Sequence, residues 1–427
     1  MAATRMSENP PTMTPAEAAM IILGHCQPIP PERRPLRDAL DAVLAEDVSS
    51  PIDLPAWDNS AMDGYAVRSA DLKETATELD VIETIPAGQF PRRALGPGEA
   101  ARIFTGAPLP QGADTVIRQE DAASGAGSNG KVTIRSAPAA GGGGGGAAKN
   151  VRRRGEDIRK GAVVLPAGTA LGPAQLGVLA SIACDAPLVH RPARVAFMGS
   201  GDEIADLDQK QEILAGKKVA SSNSYTLDAL IRRAGADARN LGIARDSKES
   251  MREHLRGAAG ADLLVTTGGV SVGEHDLMRA VLQELGGELK LWRIAMRPGA
   301  PVGFGLLAGK PWIGLPGNPV STMVTFELFA RPAIRRLQGQ ALPFRRTRPV
   351  TVRDQITLGP RLRHYLRAIV EEGQALLTGP QGSGILTSMA LANALLIVPA
   401  DMPTVPPGTA LQALMLDDPQ HVAESPY

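Results

Sequence analysis

Cysteine, aromatic residues and net charge are all scarce in this 427-residue chain, and each scarcity narrows its possible roles. Only two cysteines occur, Cys26 and Cys184, with no Cys-x-x-Cys or Cys/His spacing around them. That excludes a disulfide framework and a thiolate zinc site, and it suits a reducing compartment. Aromatic residues make up 3% of the chain, too few for base-stacking platforms. Basic and acidic residues number 45 each, so no bulk field draws the chain to nucleic acid. Long apolar runs are missing too: the longest near the N-terminus, Ala18–Leu23, is six residues and lies close to Glu8 and Glu17. Neither a signal peptide nor a membrane span fits such a pattern, and the expected location is the cytoplasm.

What remains is the composition of a globular protein, 43% hydrophobic and 21% charged, long enough for two to four domains. Thr14-Pro15-Ala-Glu17 has the cap, proline and acidic residue that open a helix, here expected to about Leu23. Pro28, Pro30, Pro31 and Pro35 interrupt the pattern, and Leu36–Leu44 reads as a second short helix. Pro51–Val67 (PIDLPAWDNSAMDGYAV) crowds small polar side chains between two apolar stretches. It reads either as an Asx-rich turn or as a loop presenting Asp63 to a ligand or metal. Arg102–Pro110 repeats the design, a short strand and then Thr105-Gly106 at a turn. Six consecutive glycines at 141–146 have no Gly-Lys-Ser/Thr after them, so they read as a flexible linker and not as a phosphate loop. Asn150–Ile158 (NVRRRGEDI) is either a solvated charge cluster or an arginine device for phosphate.

From Arg194 strands and helices alternate, which predicts a doubly wound parallel sheet of about 145 residues. The remainder, from about Pro343, is β in character. The most informative stretch is Thr266–Asp276 (TTGGVSVGEHD), between an apolar strand and a helix carrying Leu277, Val281, Leu282 and Leu285. Ligands of such sheets sit beyond the carboxyl ends of the strands. Gly268 and Gly269 suit close approach to an anion, yet Glu274 and Asp276 put two carboxylates in the same loop. Anion-binding amides and carboxylates in one site call for a divalent cation between them. Asp202/Glu203, Asp246 and Glu274/Asp276 follow three successive strands, and parallel strands place such loops on one side of a sheet.

Together DNSAMDGYAV (58–67), RIFTGAP (102–108), RRRGEDI (152–158), GGVSVGEHD (268–276) and LPGNPVS (315–321) resemble the MoeA family of molybdopterin molybdenumtransferases, relatives of the gephyrin E domain. The resemblance spans residues 14 to about 400. It implies an enzyme that takes adenylylated molybdopterin and molybdate, cleaves the phosphoanhydride with Mg²⁺, and releases molybdenum cofactor and AMP. It further implies a multidomain α/β plus β fold. Residues 13–54 and 151–191 would form a segmented N-terminal domain, with an inserted β-rich domain at 55–150 that holds the glycine-rich loop. A molybdopterin-binding α/β domain at 192–340 and a C-terminal β domain at 343–427 would follow. The implied assembly is a homodimer, with an adenylyltransferase and apo-molybdoenzymes as further partners and no role for nucleic acid or membrane.

Carried over position by position, the resemblance assigns catalytic roles to Asp276, Asp246, Glu203, Asp63 and Thr105. The metal set would be Glu203, Asp246, Asp276 and Asp157. Substrate would be held by Gly268, Gly269, Ser271, Arg293, Arg297, Pro298, Pro316, Pro319, Arg367 and Ser383. Asp63 and Thr105 would act in the partner subunit's pocket. Two stretches depart: the family's common Lys-Pro-Gly-Lys-Pro is Arg297-Pro-Gly-Ala300-Pro here, which removes a cation expected near the oxyanion, and Arg361–Arg367 lacks the family's usual acidic residue between its arginines. A non-catalytic dimeric pterin carrier of the same family, and a nucleotide-phosphate hydrolase on the same α/β unit, are the alternative readings.

Overall fold

A computed structural model describes residues 13–73, 76–124, 130–135, 149–269, 277–359 and 361–417. The glycine run 141–146, Ser271, Glu274 and Asp276 lie outside the described residues.

Helix α1 (Pro15–Gly24) opens as expected, with Thr14 and Glu17 forming a reciprocal capping box and Pro15 in the first turn. Its buried face, Ala18, Ala19 and Ile22, joins the core of the central α/β unit, although its segment was expected to belong with residues 151–191. Small residues let this helix lie close against the helical layer already there. The rest of that segment pairs with residues 163–190. Pro31–Arg33 and Val43–Leu44 flank Leu188–His190, and Val48–Ser49 pairs with Val163–Leu165. The second short helix is reduced to one turn at Leu36–Asp38. Asp41 takes a positive φ of 62°, which ends any helix, and Val43 and Leu44 are drawn into strand pairing.

An inserted sheet follows, in the order Thr115–Arg118, Gly64–Val67, Glu99–Ile103, Thr77–Ile85, Lys131–Ile134, Ala122–Ser124. Gly64 touches its neighbour so closely that a Cβ there would lie 1.9 Å from the Ile117 carbonyl oxygen. Any larger residue would push Asp63 out of line.

The central sheet contains β1 (Arg194–Ser200), then helix α2 (Ser222–Arg233), β2 (Asp237–Ala244) and helix α3 (Lys248–Arg256). It continues through β3 (Leu263–Thr267), helix α4 (Leu277–Glu284), β4 (Glu288–Arg293), β5 (Pro301–Leu307) and β6 (Lys310–Leu315). The spatial order is β2-β1-β3-β6-β5-β4. The first four are parallel, whereas β5 runs antiparallel to β6 and β4 antiparallel to β5. A tight turn through Ala308-Gly309, both at positive φ, joins β5 directly to β6 and leaves no room for a crossover helix. The sheet is therefore parallel where the acid loops lie and antiparallel at one edge.

Alternation along these strands fills two cores. Val195, Phe197, Leu263, Val265, Ile313 and Leu315 face α1, α2 and the helical stretch 319–337. Ala196, Met198, Leu264 and Trp312 face Met251 and Leu255 of α3 and Val281 and Leu282 of α4. Each large side chain so buried contributes about 1.5–3 kcal/mol. The helix after β6 runs without a break from Pro319 to Leu337, with a π-helical turn over Phe326–Ala330. Among the described residues no helix is long and apolar enough to cross a membrane.

The C-terminal strands close into a ring. Arg363–Glu371 pairs with both Gln374–Leu377 and Ala394–Val398, and the circuit returns through Ala410–Met415 and Thr347–Val352. Met296–Arg297 adds in parallel to Arg363–His364, which ties the barrel to the central unit.

One ion pair fixes the start of the parallel strands. Arg191 donates to both oxygens of Asp262 at 2.7 and 2.9 Å, and the Arg194 N–H donates to the same carboxylate at 2.8 Å. Burial alone would raise the Asp262 pKa from 3.8, but these donors outweigh it and hold the carboxyl below that value. A depressed carboxyl stabilises fully above its unfolded value and loses that contribution as pH falls through the folded one. Arg191→Ala is expected to cost about 3 kcal/mol at neutral pH. Urea melts at pH 7 and pH 3 should show that the deficit narrows at the lower pH.

Candidate functional site

Parallel pairing brings four strand ends into a row. Ser200 of β1 is level with Ala244 of β2, Gly199 with Thr267 of β3, and Thr267 with Leu315 of β6. The segments leaving these ends therefore start side by side: Arg245–Ser247, Gly201–Glu203, Gly268-Gly269 and Pro316–Pro319. The first two bear carboxylates singled out in the sequence.

Two of the acid loops hold each other. The Asp202 N–H donates to Asp246 Oδ2 at 3.2 Å, and the Asp246 N–H donates to Asp202 Oδ1 at 3.3 Å. Lys218 and Arg245 donate to the Asp202 carbonyl, so the turn is fixed from outside as well. Glu203 folds back over Gly201, where a Cβ would lie 2.8 Å from Glu203 Oε2. Its exposed carboxylate has no hydrogen-bond partner among the described residues. These are oxygen donors on adjacent loops, one of them unengaged, which suits a hard cation such as Mg²⁺. Among the described residues no three Asp, Glu, His or Cys side chains gather as a metal site. Mg²⁺ commonly takes one or two protein carboxylates and completes its shell with water and substrate phosphate, so Glu203 and Asp246 fit that habit.

The glycine loop departs from expectation in one respect. The Gly268 N–H is engaged, donating to the Leu315 carbonyl at 3.2 Å, and is not available to an anion. Its contribution is steric. Gly268 has φ +81°, and a Cβ would lie 2.9 Å from the Ser200 carbonyl oxygen. Gly317 lies against it on the other side, 3.6 Å from the Gly268 Cα to the position a Gly317 Cβ would take.

Asn223, which reads in sequence as part of a helix cap, has a different task. Its Nδ2 donates to the Gly317 carbonyl at 2.8 Å and approaches Thr267 Oγ1 at 3.5 Å. The cap residue is Ser221, whose hydroxyl pairs with Ser224 Oγ at 2.6 Å. Among the described residues the buried Asn223 Oδ1 has no partner. A buried amide beside the strand ends makes Asn223 a candidate site residue, one absent from the sequence-based assignment. The usable signal was an asparagine at the start of the helix that leaves the ligand edge of the sheet.

The Pro316–Pro319 loop meets the C-terminal domain. Asn318 Nδ2 donates to Ser383 Oγ at 3.1 Å, and the Val320 N–H donates to the Ser383 carbonyl at 3.1 Å. Thr322 Oγ1 donates to the Pro316 carbonyl at 2.6 Å, and Pro319 begins the helix behind. Thus Pro316, Pro319 and Ser383 are brought together. Arg367 stands behind them and does not face solvent. It is fully buried, and its guanidinium donates to Ser388 Oγ and to the carbonyls of Pro380, Gln381 and Gly382 at 3.0–3.2 Å. Burial lowers its pKa from the ordinary arginine value. Expected to neutralise an anion, Arg367 instead shapes the loop that carries Ser383. Arg293 at the end of β4 and Arg297 on the strand joined to the barrel are both exposed, while Pro298 is buried.

Asp63 and Thr105 form a separate cluster on the inserted sheet. Asp63 Oδ1 accepts from the Thr105 N–H and from Thr105 Oγ1, both at 2.8 Å. Those two bonds, aided by nearby Arg102, keep the carboxyl below its ordinary pKa. Asp157 is not brought to Glu203 and Asp246 within the chain. Its N–H donates to the Leu54 carbonyl in a turn where Arg153 and Arg154 engage Asp58 and Asp53. That resolves the arginine cluster in favour of turn stitching, because two of its three guanidiniums already have carboxylates.

Gly268→Ala tests the loop packing. The left-handed conformation and the contact with Ser200 should cost about 2 kcal/mol or displace the loop. A lowered melting temperature is the expected readout, and one equal to the parent's would contradict this packing.

Known proteins agree with this layout. Residues 13–183 match the model of the MoeA N-terminal region (domain I and II), 196–336 that of a probable molybdopterin binding domain, and 349–416 that of the MoeA C-terminal region (domain IV). A molybdopterin molybdenumtransferase of Nostoc is 36% identical over 391 residues, which covers 88% of this chain and 86% of that protein. Molybdopterin molybdenumtransferase 2 of Mycobacterium tuberculosis is 37% identical over 400 residues, covering 91% and 95%. The crystal structure of a molybdopterin biosynthesis MoeA protein from Pyrococcus superposes with a TM-score of 0.80 at 30% identity, covering 95% of this chain and all of that one. With its inserted sheet, mixed α/β unit and closed C-terminal barrel in this order, the chain belongs to the MoeA family of molybdopterin molybdenumtransferases.

Proposed function

We propose that this chain is a Mg²⁺-dependent molybdopterin molybdenumtransferase that takes adenylylated molybdopterin and molybdate and releases molybdenum cofactor and AMP. The observation that supports it most is the row of strand-end loops, with two carboxylate loops locked to each other beside a glycine loop too tight for any side chain. Relatives that bear this name span nearly the whole chain.

In this reading Glu203 and Asp246 hold the cation, with Asp276 as the third carboxylate of the set. Bound Mg²⁺ supplies charge neutralisation on the phosphoanhydride. Gly269 and Ser271 border the phosphate, and Gly268 lets it approach the sheet. Asn223 keeps Gly317 in place. Arg293 and Arg297 balance the charge of the oxyanion and of the departing AMP. Asp63, kept ionised by Thr105, completes the pocket from the partner subunit of a homodimer. The product would pass to apo-molybdoenzymes, and the adenylylated substrate would come from an adenylyltransferase.

Glu203→Gln and Asp63→Ala should each release AMP at least about a hundredfold more slowly, at unchanged melting temperature. If the pocket draws on two subunits, exchange of the two inactive homodimers restores roughly a quarter of parental activity, because half the reassorted dimers hold one intact site. A mixture as inactive as its components would place Asp63 and Glu203 in the same subunit's site. Ala300→Lys restores the cation that relatives commonly carry and should lower the half-saturating molybdate concentration about three- to tenfold. An unchanged molybdate dependence would remove position 300 from the oxyanion site.

A further inference from the structure

A second charged pocket, of about 640 Å³, lies away from the strand ends, between the helix Arg331–Leu337 and the first barrel strand, Thr347–Val352. Arg331, Arg335, Arg345, Arg346 and Arg348 line it, together with Phe344, whose side chain is 47% exposed. Glu327 serves two of these arginines: Arg331 Nε donates to it at 2.6 Å and Arg345 Nε at 2.7 Å. Asp417, which follows the wall residue Leu416, is held by Arg233. Among the described residues Arg335 and Arg346 have no carboxylate partner. Arg335 is half-buried and donates to one neutral acceptor, the Leu342 carbonyl, at 3.2 Å. Burial and the adjacent Arg331 and Arg345 pull its pKa below the ordinary arginine value. Two guanidiniums without counter-charge in a partly enclosed space repel their neighbours unless an anion enters.

We propose that this pocket binds a nucleoside di- or triphosphate. Its volume is that of small-molecule sites, about 300–1,000 Å³. Guanidinium forks match phosphate oxygens in bidentate geometry, and several of them suit an anion with more than one phosphate. The open face of Phe344 offers a planar base an apolar surface to stack on. The pocket spans the joint between the central unit and the barrel, so its occupant ties the two together. This inference does not depend on the reaction proposed above.

Isothermal titration of the full chain with ATP tests it. Arg335→Gln/Arg346→Gln should weaken ATP binding at least about tenfold, while Arg297→Gln at the strand-end site leaves this phase within about twofold. Arg346→Gln alone alters an exposed side chain and should weaken binding about threefold at unchanged melting temperature. Phe344→Ala should weaken ATP and leave inorganic tripolyphosphate unaffected. Equal ATP affinity in the parent and the double variant, or loss confined to Arg297→Gln, would overturn the proposal. Tripolyphosphate bound as tightly as ATP would overturn its nucleoside part.

Discussion

Parallel hydrogen bonding between β1 and its neighbours β2 and β3 is the constraint on which the candidate site depends. A parallel pair must return through a crossover, so every strand of this part points its carboxyl end the same way. Gly201, Arg245 and Gly268 therefore leave the sheet at one edge, with registers that differ by no more than a residue or two. The Arg191–Asp262 pair anchors the opposite end of the same strands, and alternating residues bury both faces. Carboxylates distant in sequence become neighbours without any contact designed for that purpose. The reciprocal bonds between Asp202 and Asp246 then remove the remaining freedom of the two loops.

Around that edge the other domains act as supports. The barrel reaches the site through one loop, and the buried guanidinium of Arg367 holds that loop by three carbonyls. An arginine fully withdrawn from water is costly unless its donors are met, and here all three nitrogens are engaged, in a network that shapes the loop presenting Ser383 to Asn318. The inserted sheet carries its own rigid feature, the Asp63–Thr105 pair beside a glycine that admits no side chain. Positioning by packed elements and satisfied hydrogen bonds is what a reaction on a highly charged substrate requires, since most of its catalysis is electrostatic.

Much of this was legible in the sequence, and the parts that were not share a cause. The capping box of α1, the alternation after Arg194 and the acid loops at Asp202/Glu203 and Asp246 are local signals, and each appears where its chemistry predicts. The antiparallel edge was not legible, because Pro301–Leu307 contains glycines and no alternation, and its direction is set by the turn that follows. Leu36–Leu44 has a helical pattern, yet pairing with residues almost 150 positions later prevails. The buried, loop-bracing place of Arg367 was not legible for the same reason. Whether a polar side chain faces a ligand or braces a loop depends on which carbonyls fold around it, and no spacing in the sequence encodes that.

The central claim is that the strand-end row is where phosphate, cation and protein carboxylates meet. A crystal structure of the protein with AMP, Mg²⁺ and molybdate tests it most directly. The account predicts the AMP phosphate against Gly268 and Gly269, and Mg²⁺ within about 2.1 Å of an oxygen of Glu203 or Asp246. AMP bound elsewhere, or Mg²⁺ held without either carboxylate, would contradict it.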